Sequence, residues 1–66
     1  MDEKLAKAAS LFNNGNRLEA KKLLAEIINS DPSNSLAWYG MALCQEDTVD
    51  KILCLQRVVS LDPNNA

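Results

Sequence analysis

The chain has 66 residues, a net charge of −2 and 47% apolar residues, which limits it to one small domain that buries only about 60% of the surface of its unfolded chain. Such a domain has no room for a deep active-site cleft, so an enzyme is not expected and any function belongs on the surface of a few packed elements. Seven basic residues are scattered among nine acids, which argues against nucleic acid, because phosphate binding needs clustered Lys and Arg.

No apolar run approaches the roughly 20 residues that span a bilayer, and Met1-Asp2-Glu3 is the opposite of a basic signal-peptide start. The expectation is a cytoplasmic module with no membrane contact of its own. One Phe, one Trp and one Tyr are too few for a sheet protein, whereas Ala, Leu, Lys and Glu favour helix.

The first predicted helix runs from about Asp2 to Asn13. Leu5, Ala8, Ala9 and Phe12 repeat at i, i+3, i+4, i+7 and give it one apolar face. Asn13-Asn14-Gly15 stops it, since Asn and Gly tolerate the left-handed conformation at a helix end. Asn16 is placed to cap the second helix, with Glu19 completing a capping box. Ala20, Leu23, Leu24, Ile27 and Ile28 form the second apolar stripe, which Asp31-Pro32 ends because proline disfavours helix at the residue before it.

Ser33 or Asn34 caps a third helix from Ser35 to about Gln45. Ala37, Trp38, Met41, Ala42, Leu43 and Cys44 make it apolar over much of its circumference, the mark of a central helix. Asp47 or Thr48 caps a fourth helix from about Val49 to Leu61, with a stripe of Ile52, Leu55, Val58 and Val59, closed by Asp62-Pro63. Connections of a few residues make neighbouring helices antiparallel. The expected fold is all-α, two stacked helical hairpins in a single domain over 1–66, split at about 34/35.

Asp31-Pro32-Ser33-Asn34 returns as Asp62-Pro63-Asn64-Asn65, 31 residues on from Pro32 to Pro63, and such periods mark helical repeats. These residues resemble the tetratricopeptide family, whose motif reads W-x2-L-G-x2-Y, then A-x3-F, then P over 34 residues. In the first repeat Ala8 stands at the small residue, Leu11 at the tyrosine, Gly15 at the turn glycine, Ala20 and Leu24 at A-x3-F, and Pro32 at the proline. In the second, Trp38-x2-Met41-Ala42 matches W-x2-L-G, and Leu55 stands as far before Pro63 as Leu24 before Pro32.

Departures are Lys4 and Lys7 at the first Trp and Leu slots, Gln45 at the tyrosine, Lys51 at the alanine, and a second repeat shorter by three residues. The first two imply a rotated first helix or a polar cap on the stack. A normal repeat followed by a shortened one is similar to the N-terminal unit of some bacterial multidomain proteins, where it can precede a membrane segment.

The resemblance implies a partner-binding groove lined by the first helix of each hairpin. Its residues are Leu5, Ala9, Phe12 and Asn13 with Leu36, Tyr39, Leu43 and Glu46, and its ligand is a peptide or helix of a partner protein. Leu5, Phe12 and Leu43 also suit simple packing of the first helix on the third. The family's carboxylate clamp is not expected, because Leu5 and Ala9 replace its Lys and Asn and Gly40 its second Asn.

The alternative is self-association. The chain stops at Ala66 where a capping helix would begin, so a downstream segment or a second copy, giving a homodimer, is expected to cover the outer face of the fourth helix at Ile52, Cys54 and Val59.

Catalytic chemistry finds no support: there is no His to pair with a cysteine or serine, Asp47 and Asp50 suit a helix start, and Gly15 and Gly40 are isolated. Cys44 and Cys54, without His, do not make a zinc ligand set and read as reduced, Ala-like core residues. Neither metal nor cofactor is expected.

Overall fold

The computed structural model describes residues 3–62. Met1, Asp2, Pro63, Asn64, Asn65 and Ala66 lie outside that range, and with them all of the returning Asp62-Pro63-Asn64-Asn65 signal except Asp62. The described residues form four α-helices and no strand: α1 (Glu3–Asn13), α2 (Arg17–Ser30), α3 (Ser35–Cys44) and α4 (Thr48–Leu61). The helix α1 packs on α2, α2 on α3 and α3 on α4, and α1 also touches α3. The order makes two hairpins stacked through α3, the helix with three neighbours and the one most apolar around its circumference.

Each junction has a distinct local chemistry. Gly15 has φ +83°, and the N–H groups of Gly15 and Asn16 donate to the carbonyls of Phe12 (3.1 Å) and Leu11 (2.8 Å). That pair of bonds closes α1 with the left-handed glycine stop. Asn16 is thereby committed to ending α1, and its side chain makes no cap bond to α2. The capping box expected from Asn16 and Glu19 is not formed.

At the second junction the Asp31 carboxylate accepts from the Ser33 hydroxyl at 2.8 Å, and Asn34 Oδ1 accepts from the Ala37 N–H at 3.1 Å, so Asn34, not Ser33, is the cap. At the third, Asp47 Oδ1 accepts from the Val49 N–H at 3.0 Å. Asp47 therefore serves α4 as its cap, and α4 starts one residue earlier than its apolar pattern suggested.

The core is made of small and medium side chains: Ala8, Ala20, Leu24, Ile27, Ala37, Met41, Ala42, Cys44 and Cys54 are buried. Leu5, Leu11, Phe12, Leu23, Ile28 and Trp38 pack around them. The alanines let helix backbones approach, which is how so short a chain closes its interior.

Trp38 packs against the edge of this core. It is half-buried, its indole N–H donates to the Pro32 carbonyl at 2.8 Å, and the Arg57 guanidinium lies 5.4 Å from its ring centroid. It ties the α2–α3 turn and α4 to α3 from the outside.

Candidate functional site

Along α1, Leu5, Ala8, Ala9, Phe12 and Asn13 face one side because they recur every three or four residues. Along α3, Leu36, Tyr39, Gly40, Leu43 and Cys44 follow the same ladder. The contact of α1 with α3 brings the two ladders together as the walls of one groove of about 300 Å³, and Leu24 of α2 reaches its floor.

Gly40 matters to that floor. A methyl group there would stand 3.1 Å from Leu24 Cδ2, closer than carbon atoms ordinarily pack. The missing side chain lets Leu24 close the base of the groove while α3 keeps its helical course.

The upper wall is open to solvent. Leu36, Tyr39 and Leu43 are 61%, 48% and 42% exposed, successive members of one row on α3. Among the described residues no carboxylate, ammonium or guanidinium lines the groove; the polar groups there are the Asn13 amide and the Tyr39 hydroxyl. Surroundings of this kind bury apolar side chains of a ligand while a few polar groups orient it. Among the described residues no group of three Cys, Asp or Glu side chains is placed to hold a metal ion.

The two thiols lie on the inner side of this architecture, buried and unpaired. Burial pushes the Cys44 thiol above its ordinary value, against the opposing pull of Arg17 and Lys21. Burial does the same at Cys54, with the Asp50 charge adding to it and Gln45 and Lys21 opposing. Both are protonated at neutral pH and poor nucleophiles.

Of the eight residues expected to line the groove, Leu5, Ala9, Phe12, Asn13, Leu36, Tyr39 and Leu43 do so, and Glu46 does not. The correction has a simple cause. Helix α3 ends at Cys44 and Gln45 is extended, with ψ 137°, so Glu46 leaves the helical ladder and meets Arg17 instead, Oε1 to an Nη at 3.7 Å. Ala8, Leu24, Gly40 and Cys44 were missed as floor residues. For Ala8 and Cys44 the same ladder carried the signal; Leu24 belongs to a different helix, and only the packing reveals it.

The expected outer face of α4 is corrected at one position. Ile52 and Val59 are exposed and share a shallow depression with Leu55 and Gln56, but Cys54 is only 7% exposed and points into the core. Among the described residues no helix is long and apolar enough to cross a membrane. No protein-family model matches the chain, and neither a curated protein nor a solved structure does.

Proposed function

We propose that this domain is a non-enzymatic protein-interaction module, a tetratricopeptide-like scaffold or adaptor working in the cytoplasm, whose α1–α3 groove receives a peptide or helix of a partner protein. The observation that carries the reading is the exposed row Leu36, Tyr39 and Leu43 standing over an apolar floor at helical spacing. Contiguous apolar strips on small domains tend to mark interaction surfaces, which supports this reading. A groove of about 300 Å³ has room for a few apolar side chains, as in the insertion of anchors from an extended strand or one helix face. Tyr39 supplies contact area and a hydroxyl, the combination that concentrates binding energy at interfaces.

The test is selection from a random peptide library on the folded 66-residue chain, followed by affinity measurement with Ala9→Glu, Leu36→Glu and Tyr39→Ala. Ala9, Leu36 and Tyr39 are all exposed, so these variants keep the fold. Selected peptides rich in apolar anchors should bind each variant about tenfold or more weakly than the parent. Selection that yields no binder, or binders indifferent to all three substitutions, refutes the groove as the site.

A further inference from the structure

We infer that the outer face of α4 seats a second copy of this chain, the two α4 helices running antiparallel about a two-fold axis near their middle. Among the described residues the helix packs on α3 and on no other helix. Away from the buried Cys54 it carries Val49, Ile52, Leu53, Leu55 and Val59 around the rest of its circumference, all exposed, with Val49 at 62% and Leu53 at 58%. Val49, Leu53, Gln56 and Ser60 follow the alternating four- and three-residue spacing of a seam between two packed helices. Ile52 and Val59 flank this seam on one side, Asp50 and Arg57 on the other.

The charges identify the occupant. Asp50 and Arg57 share one flank but stand two turns apart, about 10 Å along the axis, too far to pair within one helix. Neither is in an ion pair among the described residues. The Arg57 guanidinium lies over the Trp38 ring, 5.4 Å from its centroid, and the forked N–H donors of a guanidinium suit a carboxylate. An antiparallel second copy sets Asp50 of each chain against Arg57 of the other, twice over, because the axis repeats every contact. The same operation sets Ile52 against Val59 of the other copy, and Leu53 against the aliphatic stem of Gln56. A parallel copy would instead lay the charged flank against the apolar one. The surface is complementary to itself in one direction only.

Sedimentation equilibrium in reducing buffer, over a wide concentration range, tests this. The parent chain should show a concentration-dependent dimer, and Ile52→Glu should be monomeric at every concentration with unchanged helical circular dichroism. If that variant loses its fold, Val59→Glu serves in its place. Asp50→Arg and Arg57→Asp should each weaken the dimer about tenfold, since two surface pairs per dimer become like-charge contacts. An equimolar mixture of these two variants should recover parental affinity as a heterodimer. Tyr39→Ala should leave the dimer intact, which keeps this surface separate from the groove. A parent that stays monomeric, a dimer indifferent to Ile52→Glu, a mixture that does not recover, or a dimer lost with Tyr39→Ala overturns the proposal.

Discussion

Trp38 and Tyr39 are neighbours with opposite duties. Trp38 donates to Pro32 and lies under the Arg57 guanidinium, so Trp38→Ala loses a hydrogen bond and partly buried ring area. We expect urea denaturation to show a loss of about 2 kcal/mol, below the roughly 3–5 kcal/mol of a fully buried aromatic residue. Tyr39, on the groove wall, should tolerate the same truncation within about 0.5 kcal/mol. The caps divide in the same way. Asn34→Ala and Asp47→Ala each remove a side-chain bond to a helix N–H and should cost about 1 kcal/mol, while Asn16→Ala, whose side chain caps nothing, should cost much less. The thiols give a pH prediction. For Cys44 and Cys54 the folded pKa is raised above the ordinary 9.0, so the native state keeps protons that the unfolded chain releases. Their contribution is fully present below that pH and is lost as pH climbs through the raised values. Stability measured from pH 8 upward (roughly, the unfolded thiol range) should fall, and the double Cys→Ala chain should show a flatter profile.

At the scale of the helix, the close approach within the first hairpin depends on small side chains. Ala20 is wholly buried, and Ala20→Leu should cost about 1–3 kcal/mol through overpacking; an unchanged melting temperature would contradict the packing described. What the sequence made legible follows from the same periodicity. The ladders on α1 and α3, the centrality of α3 and the glycine stop at Gly15 depend on local spacing and backbone chemistry, and each was readable in the chain. Three features depended on more. Asn16 lies between two helices that compete for it, and the tight close of α1 wins. Glu46 sits after α3, and a ladder extrapolated past a helix end points the wrong way. Cys54 was readable both as a core thiol and as part of the outer face of α4, and the packing of α4 on α3 decides for the core. The floor of the groove, where Leu24 meets the bare Cα of Gly40, comes from tertiary contact between α2 and α3 and has no counterpart in either segment alone.

Among the described residues, nine buried side chains form the core, none of them aromatic, and the α1–α3 groove and the outer face of α4 are apolar surfaces open to solvent. A domain with so little interior is marginal by itself, and an occupant of either surface that binds only the native state adds to its stability. The central claim is that the groove is the seat of a partner segment. It is tested most directly by recording amide chemical shifts of the labelled chain while titrating a selected apolar peptide. The account predicts perturbations grouped on Leu5–Asn13 and Leu36–Cys44, with Thr48–Leu61 unmoved. Shifts centred on Thr48–Leu61 instead, or none in the two groove helices at saturation, would contradict it.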